Sequence, residues 1–232
     1  MSAALNFLCA GAAQGLVRAL QAQFEADTGL RLQGRFGAVG ALKEALLAGE
    51  PCDLLVLTDA LVRALASDGR VRADSMAALG RVRTGVAVKR GQALPAVATP
   101  EALAAALRAA DAIYFPDPVR ATAGIHFANV MRELGVHDEL QPRFRTFPNG
   151  ATAMRELAAS TDAHPIGCTQ VTEILYTEGV QLAALLPARF ELATVYTAAV
   201  STSSTQAAAA ATLVARMAGA ASQSLRRSGG FE

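Results

Sequence analysis

Residues 32–59 read LQGRFGAVGALKEALLAGEPCDLLVLTD. The stretch predicts a strand, a glycine turn over residues 36–40, a helix and a second strand. The turn carries Gly37 and Gly40 and lies where the chain leaves a strand and enters a helix. A helix start of this kind presents backbone N–H groups and a partial positive charge, so it can hold an anion without a cationic side chain. We therefore predict that this turn is one wall of a ligand cleft.

Strand-like and helix-like segments alternate along most of the chain. This alternation is typical of parallel sheets that are covered by helices on both faces. We predict an α/β fold of two lobes, each a mostly parallel sheet flanked by helices, joined by two crossover strands. The predicted lobes are residues 1–82 plus 195–232, and residues 83–194. The two crossings between the lobes are predicted near residues 80–86 and 186–195, and a strand is predicted over residues 81–89.

Composition and charge exclude several classes of protein. With 52% hydrophobic and 18% charged residues, the chain can bury a large core and is unlike a disordered protein. A net charge of +1 and the absence of Trp argue against a nucleic-acid partner. Charge or glycine interrupts every apolar run well before about 18 residues, so we expect no direct insertion into a membrane.

The cysteines do not form a recognisable site. Cys9, Cys52 and Cys168 are far apart and make no CxxC or Cys/His cluster. We therefore predict neither a disulfide framework nor a metal site, and no cofactor. Each cysteine lies in or beside an apolar strand-like run, which favours a buried core position.

The first residues fit two locations. Residues 1–20 are apolar but lack a cationic stretch at their start, so a native Met1 predicts a cytoplasmic protein. If Met1 replaces a removed signal peptide, the protein is periplasmic. The sequence leaves both alternatives open.

Short motifs spread over nearly the whole chain carry a family resemblance. They are FLCAG at 7–11, RFGAVGAL at 35–42, GEPCDL at 49–54, DP at 117–118, TAGI at 122–125, PIG at 165–167 and GGF at 229–231. Their order and spacing resemble the type 2 periplasmic solute-binding proteins, specifically the molybdate- and tungstate-binding branch. The resemblance implies two α/β lobes that close on one small anionic ligand. It also implies, for an exported protein, the membrane component of an ABC transporter as partner.

The chain departs from that branch at three positions. Gly11 and Val39 stand where molybdate-binding proteins carry serine hydroxyls, and Gln170 stands where they carry a tyrosine. A valine offers no side-chain donor to a tetrahedral oxyanion, whereas the backbone N–H groups of Ala12 and Gly40 can still bind an anion. We therefore expect a small carboxylate or another oxyanion, and not molybdate, as the ligand.

Ligand contacts are expected where strands end and helices begin, because open α/β sheets bind ligands there. Arg120 follows Asp117 in a loop, where its guanidinium is suited to a carboxylate. Thr122 is either a ligand hydroxyl or the N-cap of its helix, and the cap is favoured. The predicted ligand-binding residues are Gly11, Ala12, Ala38, Val39, Gly40, Thr58, Arg120, Thr122, Ala123, Asn149, Gly150, Thr169, Gln170 and Thr172.

An isomerase on the same scaffold is the alternative function. Aconitate isomerase also resembles this branch, and a proton shift between carbons of a small polycarboxylate needs a base beside the groups that hold the anion. Glu173, His126 and Cys9 are the candidate bases, and Glu173 also fits an exposed helix surface. No histidine has a Ser or Cys partner at triad spacing, so a catalytic triad is not predicted.

Overall fold

The computed structural model describes residues 3–232, which form two compact units. One unit runs to Val82 and resumes at Thr194, and the other comprises Arg83–Ala193. The chain passes between the units twice, within strand β4 (Ala77–Lys89) and at the start of strand β9 (Ala193–Val200).

The first unit is built around parallel strands. Its elements are β1 (Ala4–Ala10), α1 (Gln14–Thr28), β2 (Arg31–Gly37), α2 (Val39–Leu47), β3 (Leu54–Thr58), α3 (Asp59–Ser67), residues 77–82 of β4, most of β9, α9 (Ala207–Ala218) and α10 (Gln223–Ser228). Strand β1 lies between β2 and β3 and runs parallel to both, whereas β9 pairs with β3 in the antiparallel sense. The carboxyl ends of β1, β2 and β3 therefore meet at one edge of the sheet.

Strand β3 is the centre of this unit's core. Residues 54–57 are fully buried, as expected for a strand with helices on both faces. The buried carboxylate of Asp53, just before β3, accepts hydrogen bonds from the Asn6 backbone at 2.7 Å, the Ser204 hydroxyl at 2.7 Å and the Thr205 backbone at 2.9 Å. One side chain thus joins β1, β3 and the segment that leads into α9.

The second unit repeats the same order of elements. They are residues 83–89 of β4, α4 (Pro100–Ala109), β5 (Ala112–Pro116), α5 (Thr122–Glu133), α6 (His137–Leu140), β6 (Phe144–Phe147), α7 (Gly150–Ala159), β7 (Pro165–Gln170), α8 (Val171–Tyr176) and β8 (Val180–Leu185). Strand β5 lies between β6 and β7 and is parallel to both, and β4 is antiparallel to β7 and to β8. The predicted α/β fold is confirmed, but the sheet of the second unit is mixed, because β4 pairs with both β7 and β8 in the antiparallel sense.

Several predicted boundaries need correction. The turn over residues 36–40 is shorter than predicted, because Phe36 and Gly37 complete β2 and α2 already begins at Val39. Ala38 alone links them in an extended conformation, with φ −67° and ψ 140°. Strand β4 begins at Ala77 and is thus four residues longer at its start than the predicted 81–89 (81 − 77 = 4). Among residues 3–232, no helix combines the length and the apolar character that a bilayer crossing requires.

Candidate functional site

The carboxyl ends of three parallel strands define one edge of the second unit. Strands β6, β5 and β7 end at Phe147, Pro116 and Gln170, and each is followed by a helix. Open α/β sheets bind ligands at this edge. The edge gathers the predicted residues of this unit from the starts of α5, α7 and α8.

A buried polar run spans the end of β7 and the start of α8. Thr169, Gln170, Thr172 and Glu173 are between 0% and 5% exposed. Thr169 donates its hydroxyl hydrogen bond to Glu173 Oε2 at 2.5 Å. Glu173 therefore does not lie on a helix surface, and that interpretation of the sequence is wrong. Polar side chains are seldom buried unless they have a partner, so each member of the run needs an explanation.

The Glu173 carboxyl group fills the start of α7. A Cβ atom placed on Gly150 would lie 2.0 Å from Glu173 Oε2 and 1.9 Å from Thr169 Oγ1, so the missing side chain makes room for both oxygens. Burial raises the pKa of Glu173, against the opposing effects of the Thr169 hydrogen bond and of the backbone amides of Ala151, Gln170 and Gly150. An internal acid therefore occupies the position that a helix start otherwise offers to an external anion.

This arrangement changes the interpretation of two predicted ligand contacts. Asn149 is the N-cap of α7, and its Oδ1 accepts a hydrogen bond from the Thr152 backbone at 2.9 Å. Gly150 is buried against the Glu173 carboxyl group. Asn149 Oδ1 is thus used to cap α7, and the Glu173 carboxyl group takes the space beside Gly150.

The buried side chains of Gln170 and Thr172 have polar atoms that lack hydrogen-bond partners within the described part of the chain. The Oε1 and Nε2 atoms of Gln170 and the Oγ1 atom of Thr172 have no hydrogen-bond partner among the residues that the structure describes. Gln170 is 2% exposed and Thr172 is 5% exposed. An unpaired buried polar group costs about 1–3 kcal/mol, so these atoms are suited to a partner that is not part of the chain.

The Gln170 side chain lies on the sheet face that α5 covers. Side chains two residues apart on a strand share a face, and Cys168 packs in one cluster with Phe127 of α5. A Cβ atom on Gly124 would lie 2.2 Å from the Pro116 carbonyl oxygen, so the start of α5 rests directly on the end of β5. The parallel pairing of β7 with β5 matches Tyr114 with Gly167, and its continuation brings Gln170 level with Asp117, in the loop that leads into α5.

The first turn of α5 has no capping side chain. Its N-cap is Ala121, which makes no side-chain cap, and the turn carries no acidic residue. The N-cap interpretation of Thr122 is therefore wrong, because Thr122 is the first residue of the helix and Ala123 the second. Backbone N–H groups at such a start favour negative charge.

Asp117 shapes the loop before α5, and the exposed Arg120 side chain lies near the end of this loop. Asp117 Oδ1 accepts hydrogen bonds from the backbone N–H groups of Val119 at 2.7 Å and Arg120 at 3.1 Å. The Arg120 guanidinium is exposed and makes no ion pair with any residue between 3 and 232. This role of Asp117 was not predicted from the sequence, although an aspartate that accepts a hydrogen bond from the backbone two residues later is a recognisable turn signal.

The first unit offers backbone groups at the corresponding edge. Helix α2 begins after Ala38 and α1 after a 3₁₀ turn at Gly11–Ala13, and neither has a side-chain cap or an acidic residue in its first turn. Ala12, Ala38 and Val39 are buried and lack polar side-chain atoms, whereas Gly40 is partly exposed. Thr58 is the N-cap of α3 but makes no side-chain cap hydrogen bond. Apart from Thr58, these predicted residues can contribute only backbone N–H groups.

The other candidate bases are poorly suited to proton transfer. Cys9 is fully buried, and burial raises the pKa of its thiol far above the usual range. His126 is half-buried, and its Nε2 lies 2.8 Å from the Phe190 carbonyl oxygen. Glu173 remains the candidate in the buried polar run. Among the described residues, no group of three or more His, Cys, Asp and Glu side chains is arranged to hold a metal ion.

A separate cavity of about 610 Å³ opens near the amino end of β7, where Ile166 and Pro165 line it together with Ala106 and Ala110 of the α4 region. Its lining is mainly aliphatic, and His164 and Gln92 are its polar members. This chemistry does not match an anion, and the cavity lies at the edge of the sheet opposite the buried polar run.

Comparisons with known proteins agree with this architecture. The bacterial extracellular solute-binding protein family matches residues 5–232. A curated relative, an aconitate isomerase from Pseudomonas sp., is 23% identical over 206 residues, covering 86% of this chain and 76% of the relative. The periplasmic molybdate-binding protein of Azotobacter vinelandii has a TM-score of 0.79 at 19% identity, with 98% of each chain covered. A sulfate-binding protein of Mycobacterium tuberculosis has a TM-score of 0.71 at 16% identity, covering 99% of this chain and 86% of that one.

At these identities the solved structures show a shared fold. The family match is of a different kind, because it is a match of sequence to a family model over residues 5–232. The chain belongs to the bacterial extracellular solute-binding protein family.

Proposed function

We propose that the protein binds a small carboxylate or another oxyanion at the carboxyl edge of the second unit. The first turn of α5 supplies backbone N–H groups, Arg120 supplies a positive charge, and Gln170 and Thr172 supply polar side chains. The observation that carries the proposal is the burial of the Gln170 and Thr172 polar atoms without partners beside an uncapped helix start. A bound anion would satisfy N–H and O–H donors that are otherwise costly to bury.

Molybdate is not the proposed ligand. In the first unit, the starts of α1 and α2 carry no hydroxyl side chain, and Val39 places aliphatic atoms at the first turn of α2. Backbone N–H groups alone tolerate many anions, because they fix no particular arrangement of oxygens around a tetrahedral centre. A carboxylate held by an arginine and a helix start fits the groups of the second unit better.

Calorimetric titration tests the proposal. Candidate ligands are molybdate, tungstate, sulfate, phosphate and a series of di- and tricarboxylates. We expect a carboxylate to bind and molybdate not to bind. The reverse result, tight molybdate binding with no carboxylate binding, would contradict both the proposed ligand class and the significance given to Val39.

A pair of arginine variants tests the site. Arg120→Ala should weaken carboxylate binding about tenfold to 100-fold, because a hydrogen bond to a charged group is worth about 1.5–3 kcal/mol. The control is Arg132→Ala, since Arg132 is exposed and lies in the last turn of the same helix, where it contacts Asn129. Equal affinities for the two variants would remove Arg120 from the site.

Within this proposal the protein passes its ligand to the membrane component of an ABC transporter, which places it outside the cytoplasm. Family membership supports the role, because the matching family is described as extracellular. Fractionation of cells that express the complete gene product tests the location. Recovery in the cytoplasm alone would contradict the transport role and favour a cytoplasmic enzyme.

Isomerisation of a small polycarboxylate is the second candidate function. One observation favours it: Glu173, a buried acid whose pKa is raised by burial, stands at the same edge as Arg120, and perturbed acids of this kind are common among groups that exchange protons with a substrate. The test is incubation with trans-aconitate in heavy water. Deuterium incorporation that Glu173→Gln abolishes would establish the enzyme, whereas binding without exchange would support the binding protein.

A further inference from the structure

We propose that the ligand carries a hydroxyl group next to its anionic group, so that hydroxy acids are the preferred class. The inference rests on the proposed function and specifies the ligand of the same site. Its basis is the side chain of Gln170, which is 2% exposed and has both its Oε1 acceptor and its Nε2 donor unpaired.

An amide side chain makes two different demands on a partner. Its NH₂ group needs an acceptor, which any carboxylate or oxyanion provides. Its oxygen needs a donor, and deprotonated carboxylate, sulfate and molybdate groups have none. An anion that offers only acceptors would leave one buried atom of Gln170 unsatisfied. Both orientations of the amide lead to the same requirement, because neither of its two polar atoms has a partner among the described residues.

A hydroxyl group meets both demands because it donates and accepts. The anionic group of the same ligand can then face the first turn of α5 and Arg120, which provide only donors and positive charge. The strand register brings Gln170 level with the end of β5, on which that first turn rests, so we take the two functional groups of the ligand to be a few bonds apart. Carboxylic acids with a hydroxyl on a neighbouring carbon have this arrangement.

Thr172 supports the same ligand chemistry. Its hydroxyl group is 5% exposed and unpaired, and it follows Gln170 by two residues in the first turn of α8. The neighbouring residues Thr169 and Glu173 satisfy each other instead. The buried polar run therefore separates into an internal pair, Thr169 with Glu173, and a pair that faces a ligand, Gln170 with Thr172.

Matched pairs of anions test the inference by calorimetry. The probes are malate against succinate, and citrate against tricarballylate, since each pair differs by one hydroxyl group. The member with the hydroxyl group should bind at least about tenfold more tightly, because sites built to hydrogen-bond a hydroxyl reject analogues that lack it. This comparison uses the unaltered protein and is therefore independent of the folding of any variant.

Gln170→Leu should reduce the preference within each pair to less than about threefold, because it removes both polar atoms at similar volume. The matched control is Gln181→Leu on β8, where the Gln181 side chain is satisfied by the Gln92 carbonyl oxygen at 2.9 Å. The control should keep the full preference for the hydroxyl group. Thermal unfolding of each variant establishes that it is folded.

The possible failures are distinguishable. If the two members of each pair bind equally tightly to the unaltered protein, the inference is overturned while anion binding stands. If no anion of either panel binds, the proposed function is overturned and the inference with it. A preference for the hydroxyl group that survives Gln170→Leu would overturn the assignment of Gln170.

Discussion

Gly150 and Glu173 should be energetically coupled because they share one small volume. A Cβ atom on Gly150 would come within 2.0 Å of Glu173 Oε2, about 1 Å closer than the 3.0 Å below which real Cβ contacts essentially do not occur. Gly150→Ala must therefore displace the carboxyl group from the start of α7. We expect this variant to lose about 3 kcal/mol of unfolding free energy, at the upper end of the range for overpacked cores.

Removing the acid should partly rescue the alanine. Glu173→Ala alone leaves the Thr169 hydroxyl without its acceptor, which costs about 2 kcal/mol. In the double variant, the new methyl group occupies space that the carboxyl group has left, and the freed Thr169 side chain can rotate away. The double variant should therefore be less destabilised than the sum of the single variants by at least about 1 kcal/mol, the size expected for residues in direct contact.

The measurement is a double-mutant cycle from urea unfolding followed by far-UV circular dichroism. Hydrogen exchange of peptides that cover α7 and α8 shows whether the change is local to the second unit. Gly37→Ala is the control, because a Cβ there would meet Leu42 at an ordinary 3.5 Å. Its effect should stay within about 1 kcal/mol. Additive single effects in the cycle would refute the shared-volume reasoning.

Three further predictions concern ionisable groups. Asp53→Asn should lower the free energy of unfolding by about 3 kcal/mol at pH 7, because it weakens the hydrogen bonds that the buried carboxylate accepts from Asn6, Ser204 and Thr205. Burial by itself raises the pKa of Asp53, but hydrogen bonds from Asn6 and Ser204 outweigh it, so the pKa is lowered on folding. The stabilisation by Asp53 is therefore present above the unfolded pKa of about 3.9 and is lost as the pH falls through the folded pKa. In urea unfolding at a series of pH values, the difference in unfolding free energy between Asp53→Asn and the unaltered protein should shrink over that range. The pH dependence of stability at Glu173 has the opposite sign, because burial raises its pKa. The stabilisation is complete below the unfolded pKa of about 4.3 and is lost as the pH rises through the folded pKa. Glu173→Gln should reduce this loss in thermal unfolding measured at a series of pH values. Mass spectrometry should find the thiol of Cys52 unmodified by a thiol reagent until the protein unfolds, because burial raises its pKa to about 12.

The arrangement of strands and helices could be predicted from the sequence because its signals are local. An apolar strand such as residues 54–57, followed by a helix, identifies a parallel sheet without knowledge of any contact. Element boundaries were harder to predict. The glycines of the turn at 36–40 suggested a longer loop, but neither Gly37 nor Gly40 has a positive φ, so both fit within regular structure.

The internal use of the polar residues could not be predicted from the sequence. Thr169 and Glu173 are four residues apart, a spacing that a surface helix also produces, and their burial depends on Gly150, about 20 residues earlier in the chain. The sequence identified the run after β7 as unusual. It could not show which members pair with each other, because the pairing is decided by the packing of α7 against β7 and α8.

The two helix starts with the clearest sequence signals contribute differently to ligand choice. The start of α2, which identifies the fold, presents aliphatic side chains at Ala38 and Val39, so only its backbone N–H groups can face an anion. Backbone groups of this kind attract negative charge but do not distinguish one anion from another. In the second unit, Gln170 has a buried donor and a buried acceptor. A ligand at the proposed site that leaves one of them unpaired should bind more weakly than a ligand that pairs with both. In the proposed site, selection among anions therefore rests mainly on Gln170 at the end of β7 and Thr172 at the start of α8, and substitutions there should change the ligand preference.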